Sequence, residues 1–286
     1  MRLLRPANIV TSLADVLAGI AISGFFLNGI SDYIPVVLLC LSTIGLYGGG
    51  IVFNDVFDAE LDRVERPERA IPSGAISIRE ATILGSLLLL AGIIFALLFS
   101  VLSGVIAFFI ALFALIYNKF GKHHAFLGPL NMGLCRGLNL LLGISIISSA
   151  AGQWYFLGIV PLIYIFSITM ISQGEVHGGN RTNLYIASFL YLSVIAFISY
   201  FSFAEGQLLF TLFFLLPFAV MIFNPLIKAM QDPAGRNIGR AVKAGVISLI
   251  LMDAAWAAAF GSLYAALFIA CLLPLSLWFA KRFAVT

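Results

Sequence analysis

Ten apolar segments, each close to the length of a membrane-spanning helix, make up most of this 286-residue sequence. Crossing the hydrocarbon core as a helix takes about 20 apolar residues. A spanning segment must also satisfy its own backbone hydrogen bonds, which restricts it to a helix or a closed barrel. The sequence therefore predicts an all-α, polytopic membrane helix bundle. The candidate spans are 8–28, 34–55, 79–100, 103–118, 128–149, 154–172, 183–203, 207–229, 240–259 and 262–280.

Composition supports a membrane protein with one domain. Hydrophobic residues make up 62% of the chain and charged residues 10%, whereas soluble domains carry about 25% charged residues. No polar stretch is long enough for a separate soluble domain, so residues 1–286 are expected to form a single integral-membrane domain. The net charge of +3 does not indicate a nucleic-acid partner, because the basic residues lie in short loops and at helix ends.

The distribution of charge predicts the topology. With ten spans, both termini and nearly all of the sixteen Lys and Arg residues fall on one side, while Asp32 and Glu205 lie in the opposite loops. The positive-inside rule makes the basic side cytoplasmic, and we expect the cytoplasmic membrane of a bacterium. A nine-span alternative, with the last two segments as a re-entrant pair, would place Lys281 and Arg282 outside. The basic loops are 56–78, 119–127, 173–182 and 230–239.

The densest acidic cluster follows the second span. On a helix, each residue turns the chain by ~100°. Taking Asn54 as the origin, Asp58 lies near ~40° and Asp62 near ~80°. Asp55 lies near ~100°, and Glu60 points away. Oxygen ligands suit Mg²⁺ or Mn²⁺, and Mg²⁺ typically joins a few carboxylates to phosphate oxygens. The cluster therefore predicts a metal site at Asp55, Asp58 and Asp62. The alternative is a solvated acidic helix end.

An arginine-rich loop comes next. Pro67 ends the helix, and Arg63, Arg66 and Arg69 lie beside the predicted metal site. Guanidinium groups match phosphate oxygens in a bidentate fashion. Carboxylates and arginines at the membrane surface therefore favour an anionic, metal-bound headgroup whose apolar tail lies in the bilayer. The arginines also anchor the loop on the cytoplasmic side.

Three segments resemble a known family. The pattern Asn-Asp-x-x-Asp-x-x-x-Asp at 54–62, followed by Ile-Pro-Ser-Gly at 71–74, is similar to the first signature of the UbiA superfamily of intramembrane prenyltransferases. Residues 5–8, Arg-Pro-Ala-Asn, resemble its opening segment. Residues 115–119, Leu-Ile-Tyr-Asn-Lys, resemble its Tyr…Lys segment after the fourth span. The resemblance covers nearly the whole chain.

The resemblance implies a bundle of about nine spans around a central cavity, with a polar cap on the cytoplasmic side. It also implies Mg²⁺-dependent binding of an isoprenyl diphosphate and transfer of its prenyl group to an aromatic or other lipophilic acceptor. Asn54, Asp58, Asp62 and Lys119 are then expected to be catalytic. The residues that it assigns to Mg²⁺ and diphosphate are Asn54, Asp55, Asp58, Asp62, Arg63, Arg69 and Lys119.

The chain departs from the family in its second acidic motif. The family carries Asp-x-x-x-Asp after the sixth span, whereas here Glu175 is the one carboxylate at 172–181 and Gly179 stands where a second acid belongs. Glu175 is expected to complete the metal site, and Arg181 to bind substrate. His177 is either a polar loop residue or a substitute ligand, and the metal count stays open. The run Gln-Gly-Glu-Val-His-Gly-Gly is similar to the subgroup called EboC.

Polar residues within the spans are further candidates. Asn131 and Arg136 lie in the fifth span and Tyr117 at the end of the fourth. An intramembrane arginine rarely faces lipid, so we expect Arg136, together with Asn131, to contact diphosphate or acceptor. The resemblance implies the same role for Tyr117. Asp15 and Asp253 either polarise an acceptor or neutralise Arg136.

Two functions remain in competition. The first is prenyl transfer, with an isoprenyl diphosphate, a lipophilic acceptor and membrane lipid as partners. The second is non-catalytic binding or transport of a prenyl lipid, which the incomplete second motif keeps open. The position of the carboxylates disfavours transport, because transporter sites usually lie near the bilayer midplane.

Overall fold

The computed structural model describes residues 5–27, 32–122, 124–174 and 181–282, and over these residues it is helical with no β-strand. The predicted all-α fold is confirmed. A π-helical turn, Tyr117–Gly121, follows α5, and a 3₁₀ turn, Tyr155–Gly158, joins α7 to α8. The α-helices are α1 Pro6–Ile22, α2 Ile34–Phe57, α3 Ala59–Glu65, α4 Ile78–Phe99, α5 Val101–Ile116, α6 Leu127–Ile144, α7 Ser148–Trp154, α8 Ile159–Ser172, α9 Arg181–Ala204, α10 Leu208–Gln231, α11 Gly235–Ala259, α12 Leu263–Ala270 and α13 Leu272–Arg282.

Each predicted span corresponds to a helix or to a pair of consecutive helices. In the described part of the chain, eight helical stretches are long and apolar enough to cross a membrane. α1 is apolar but shorter, at 17 residues, and α6 is not among the eight because Asn131, Arg136 and Asn139 interrupt it. The last predicted span consists of α12 and α13, which are separated at Cys271. The number of crossings stays a prediction.

α11 occupies the centre of the bundle. It is buried over most of its length and packs against α1, α8, α10 and α12. Its second half is rich in alanine, and small residues let neighbouring helices approach closely. α4 packs along α2 on one face and exposes leucines on the other, among them Leu87, Leu90 and Leu98. An apolar outer face suits contact with lipid.

α1 and α6 touch backbone to backbone. A Cβ atom added at Gly19 would lie 2.2 Å from the carbonyl oxygen of Leu140, and one added at Gly143 would lie 2.1 Å from that of Val16. Both gaps are far below van der Waals contact, so glycine is required on both helices. This close approach sets the distance across which α1 and α6 exchange polar contacts nearer the start of each helix.

Gly143→Ala should therefore destabilise the protein. The added methyl group meets backbone on α1, and such overpacking costs about 1–3 kcal/mol. Gly152→Ala in α7 is the matched control, because a Cβ there has no atom within 4 Å. Unfolding of the purified protein in detergent, followed by circular dichroism, measures both variants. Equal stability of Gly143→Ala and Gly152→Ala would contradict this account of the contact.

Candidate functional site

A cavity of about 370 Å³ lies between α1, α2, α3, α5, α6, α8 and α11. One side of α2 and α3 lines it through Tyr47, Gly50, Asn54, Asp58 and Asp62. Their spacing of three or four residues places them on the same helix face. The lining is charged where α3 begins and largely apolar further along α2. The cavity therefore suits a molecule with one charged end and one apolar end.

The helix that carries the carboxylates is broken at Asp58. The helical-wheel expectation assumed an unbroken helix and was wrong on this point. α2 ends at Phe57 and α3 begins at Ala59, because the ψ angle of Asp58 is −1°. The N–H of Asp62 still donates to the carbonyl oxygen of Asp58 over 2.8 Å. Asp58 and Asp62 consequently both line the cavity, whereas Asp55 does not.

Two arginines from separate parts of the chain neutralise Asp55 and Asp62. Nη2 of Arg5 donates to Oδ1 of Asp55 over 2.9 Å. Nη1 of Arg69 donates to Oδ2 of Asp62 over 2.7 Å and lies 3.5 Å from Oδ1 of Asp55. Burial lowers the pKa of Arg5. The ordinary pKa of a guanidinium is so high that the group nevertheless stays protonated.

A lysine neutralises the third carboxylate. Lys122 forms a salt bridge with Asp58, and burial lowers the pKa of Lys122 to about 8. Lys122 directly follows the π-helical turn, and its N–H donates to the carbonyl oxygen of Tyr117, five residues earlier, over 3.0 Å. Lys119 is exposed instead, with Nζ 5.1 Å from the ring centre of Phe120. The predicted contact between Lys119 and diphosphate stays a prediction, while the structure brings Lys122 to the carboxylates.

We call the charged cluster at this end of the cavity the mouth layer; Asp55 and Lys122 belong to it through their ion pairs and do not line the cavity. An amide pair continues the wall below it. Nδ2 of Asn54 donates to Oδ1 of Asn118 over 3.1 Å, and Nδ2 of Asn118 donates to the carbonyl oxygen of Gly50 over 2.8 Å. Because Asn54 donates through nitrogen, its side-chain oxygen is left for a donor or a metal ion. The mouth layer consists of Arg5, Asp55, Asp58, Asp62, Arg69 and Lys122.

A second charged group lies deeper in the bundle. Arg136 of α6 lines the cavity and is 2% exposed. Its Nη1 donates to Oδ2 of Asp15 over 2.5 Å, and its Nη2 donates to the hydroxyl of Thr11 over 2.7 Å. Its guanidinium carbon also lies 4.5 Å from the ring centre of Tyr47. Arg136 is thus both a cavity residue and half of a buried ion pair.

Further polar groups surround the Asp15 carboxylate of that ion pair. Nδ2 of Asn139 donates to Oδ2 of Asp15 over 3.0 Å and to the carbonyl oxygen of Ser12 over 2.8 Å. The hydroxyl of Thr43 donates to Oδ1 of Asn139 over 2.7 Å. Asp253 of α11 lies beside Asp15 and contributes to the field around Arg136. Buried hydrogen-bonded charges of this kind link α1, α2, α6 and α11.

The remaining predicted loop and helix-end residues divide into two groups. Arg66, Arg69 and Tyr117 line the cavity. Arg63 does not, because it is exposed and pairs with Glu60 over 3.0 Å. In the described residues, no salt bridge forms to Arg66.

Two predicted substrate residues lie away from the cavity lining. Asn131 is buried in α6, and its side-chain oxygen has no hydrogen-bond partner in the described part of the chain. Arg181 begins α9 and is exposed. Glu175 and His177, the candidate ligands of the second motif, lie outside the described residues.

The described residues offer oxygen ligands without a complete metal cage. No three His, Cys, Asp or Glu side chains among them converge closely enough to hold a metal ion. Asp58, Asp62 and Asn54 nevertheless line one cavity. Mg²⁺ usually binds through one or two protein carboxylates plus substrate phosphates. This donor set fits Mg²⁺ in that mode. Asp55 does not line the cavity and pairs with two arginines, and its predicted role as a metal ligand stays a prediction.

Sequence reasoning missed Tyr47, Asn118 and Lys122. The helical period that links Asn54 to Asp58 also reaches back to Gly50 and Tyr47, so extending it would have found Tyr47. Asn118 precedes the predicted Lys119 directly. No sequence signal announces a π-helical turn, so the choice between the two lysines could not be made from spacing.

Breaking the buried ion pair should be costly. Arg136→Met leaves the Asp15 carboxylate buried without its cation, and losing one partner of such a pair costs about 3–5 kcal/mol. The double variant Arg136→Met/Asp15→Leu should recover much of this loss, because two apolar groups need no pairing. Arg63→Met is the matched control at an exposed pair and should change stability little. Denaturation in detergent measures all three, and a double variant no more stable than Arg136→Met would contradict the pairing argument.

Comparisons with known sequences point to one family. The sequence model of the UbiA prenyltransferase family matches residues 16–242. A digeranylgeranylglyceryl phosphate synthase of Saccharolobus solfataricus is 30% identical over 174 residues, which are 60% of this chain and 60% of that protein. The corresponding protein of Methanothrix thermoacetophila is 30% identical over 214 residues, 70% of this chain and 78% of that protein. The alignment with the first therefore spans less than two thirds of its length.

Solved structures show the same fold. A UbiA homolog from Aeropyrum pernix K1 in its apo form has a TM-score of 0.67 at 15% identity, covering 86% of this chain and 96% of that one. A UbiA homolog from Archaeoglobus fulgidus bound to GPP and Mg²⁺ has a TM-score of 0.61 at 15% identity, covering 85% and 98%. At such low identity these likenesses establish the fold alone. None of the comparisons addresses the EboC subgroup, which stays a prediction.

Proposed function

This chain belongs to the UbiA prenyltransferase family, and we propose that it transfers a prenyl group from an isoprenyl diphosphate to a lipophilic acceptor in a Mg²⁺-dependent reaction. The chain is an integral multi-pass membrane protein. One observation carries the proposal: a single cavity has paired carboxylates and cations at one end and an apolar wall beyond them. An isoprenyl diphosphate has the same two halves.

Asp58, Asp62 and Asn54 would hold Mg²⁺ against the diphosphate, because their oxygens line the cavity together. Bound there, Mg²⁺ would offset negative charge on the phosphate oxygens. Glu175, which lies outside the described residues, remains the proposed further ligand. Asp55 would act indirectly by fixing Arg5 and Arg69.

The cations at the cavity mouth would favour bond breaking. When the allylic C1–O bond breaks, its electron pair goes to the leaving diphosphate, whose negative charge increases. Arg5 and Arg69 line the cavity at this end, and Lys122 pairs with Asp58 beside it, so these cations would bind the transition state more strongly than the ground state. An oxygen or ring carbon of the acceptor then bonds to C1, and the acceptor gives up one proton.

The cavity wall would protect the reactive carbon. Ile51, Met132, Ile165 and Ile168 surround the space below the mouth layer. An allylic carbocation reacts with water, so an apolar wall that excludes water directs it to the acceptor. The cavity thus separates charge stabilisation at the mouth from carbocation chemistry below it.

The acceptor that fits best is a glycerophosphate-type lipid. Relatives named digeranylgeranylglyceryl phosphate synthase suggest this class. Arg66 lines the cavity, and within the described residues no carboxylate pairs with it, so it is available to an acceptor phosphate. The aromatic acceptor expected from the sequence is the other class to test.

The direct test is turnover by the purified protein in nanodiscs. With Mg²⁺, an isoprenyl diphosphate and a glycerophosphate lipid, we expect pyrophosphate release that EDTA abolishes. Asp58→Asn should lower kcat/KM by about 10²-fold or more, because it removes a charged oxygen ligand. An aromatic acceptor runs in parallel. Mg²⁺-dependent binding of the diphosphate without turnover on either acceptor would instead support a prenyl-lipid binding protein.

Lys122 and Lys119 form a matched pair for a second test. Lys122→Met should lower kcat/KM by about 10²-fold, because a positioned cation is lost where diphosphate charge develops. Lys119→Met removes the same charge from the same segment but at an exposed position, so its kcat/KM should stay within a factor of about two of the wild type. Pyrophosphate release under limiting donor measures both. Equal losses would reject the assignment of Lys122.

A further inference from the structure

Basic residues collect at one end of α10, α11 and α13, away from the acidic motif. From residue 207 onward the chain has six Lys and Arg residues but two acidic ones, Asp232 and Asp253. Asp253 is buried within α11, and Oδ2 of Asp232 already accepts a hydrogen bond from Nδ2 of Asn237 over 2.9 Å. The six cations are all exposed, and within the described part of the chain none of them pairs with a carboxylate. They are Lys228, Arg236, Arg240, Lys243, Lys281 and Arg282.

Three of these cations share one face of α11. Taking Arg236 as the origin, Arg240 lies at ~40° around the helix and Lys243 at ~−20°. The three side chains are spread over about 10 Å of helix. Spacings of four and three residues keep side chains on one helix face. The first turns of α11 therefore present three positive charges in one direction.

The end of α13 lies against this face of α11. Nζ of Lys243 donates to the carbonyl oxygen of Ala280 over 2.8 Å, and Lys281 and Arg282 follow directly in the chain. Ala280 also shares an apolar cluster with Ala7, so the contact lies at the end of the bundle where α1 begins. We call these five cations the basic patch: Arg236, Arg240, Lys243, Lys281 and Arg282.

An apolar track leads away from the basic patch along α13. Leu275, Trp278 and Arg282 are three and four residues apart, so they share a helix face. Leu275 is 42% exposed and Trp278 is 46% exposed. The guanidinium carbon of Arg282 lies 4.4 Å from the ring centre of Trp278. Tryptophan is enriched where headgroups meet acyl chains. This face of α13 thus changes from apolar to cationic in the same order as a phospholipid changes from chain to headgroup.

Membrane topology alone does not account for the patch. The positive-inside rule requires basic residues on one side of the membrane, but it does not require them to converge. The helix dipole favours Lys281 and Arg282 in the last turn of α13. The same dipole disfavours Arg236, which lies in the first turn of α11 where no acidic residue balances it. Like charges one turn apart also repel each other. An anion bound at the patch would offset both costs.

We propose that the basic patch binds the phosphate group of an anionic membrane phospholipid whose acyl chain lies along Leu275 and Trp278. The inference goes beyond the proposed function and does not depend on it. Guanidinium groups match phosphate oxygens, and clustered Lys and Arg residues beside a spanning helix attract anionic lipids. The bound phosphate would hold the start of α11 and the end of α13 together.

The test is native mass spectrometry of the full chain in a mild detergent. The probes are dioleoyl phosphatidylglycerol and dioleoyl phosphatidylcholine. They have the same acyl chains and phosphate, but the choline cation of the second cancels its net charge. The wild type should bind the phosphatidylglycerol at least about tenfold more tightly, because several cations attract its net charge. Raising the salt concentration should reduce this preference, since exposed charges are screened.

Two double variants remove cations from the two sides of the patch. Arg236→Gln/Arg240→Gln and Lys281→Gln/Arg282→Gln should each lower the affinity for phosphatidylglycerol about tenfold and leave that for phosphatidylcholine unchanged. Arg79→Gln is the matched control, because Arg79 is an exposed cation at the start of α4, outside the patch. Its affinity for phosphatidylglycerol should stay within a factor of about two of the wild type.

Three outcomes would overturn the proposal. They are equal affinity of the wild type for the two lipids, unchanged phosphatidylglycerol affinity in both double variants, and a loss in Arg79→Gln as large as theirs. The wild-type comparison decides the matter even if a variant does not fold. Prenyl transfer is measured separately by pyrophosphate release, so failure of the lipid site leaves the proposed function standing.

Discussion

The pairing of buried charge controls the arrangement of this bundle. A guanidinium without a partner is costly in an apolar interior, so Arg136 must lie against Asp15. That requirement brings α1 and α6 together, and the contact is close because glycine stands at positions 19 and 143. With both helices fixed, the guanidinium faces Tyr47 of α2. One ion pair thus fixes the position of a charged group in the wall of the cavity.

The fold could be predicted from the sequence because a membrane span depends on local properties. Length and hydropathy identify each helix without any tertiary information. The cluster of Asp58 and Asp62 with Asn54 was also local, since the three residues lie within nine positions of the chain and line one cavity. The same reasoning placed Asp55 in the metal site. It could not foresee that Asp55 pairs with Arg5, fifty residues away in sequence, and the metal role of Asp55 stays a prediction.

What could not be predicted depends on contacts between distant segments and on local helix irregularities. Arg136 and Asp15 are 121 residues apart. Asp253 is also an aspartate within a predicted span, so the sequence gives equal reason to pair Arg136 with Asp253. The choice between Lys119 and Lys122 depends on a π-helical turn, in which one hydrogen bond spans five residues instead of four. A shift of one residue rotates a side chain by ~100°, which is enough to turn a lysine from the carboxylates to the surface.

Charge balance at the mouth explains why three carboxylates can lie together before any substrate binds. Asp55, Asp58 and Asp62 form ion pairs with three cations, Arg5, Arg69 and Lys122. Under the proposed function, a divalent metal ion and a diphosphate enter together, and their charges nearly cancel. Lys122 and Arg69 can then exchange a carboxylate for a phosphate oxygen while Asp58 and Asp62 exchange a cation for the metal. Because each charge keeps a partner throughout, substrate can enter a partly buried site without leaving any group there uncompensated.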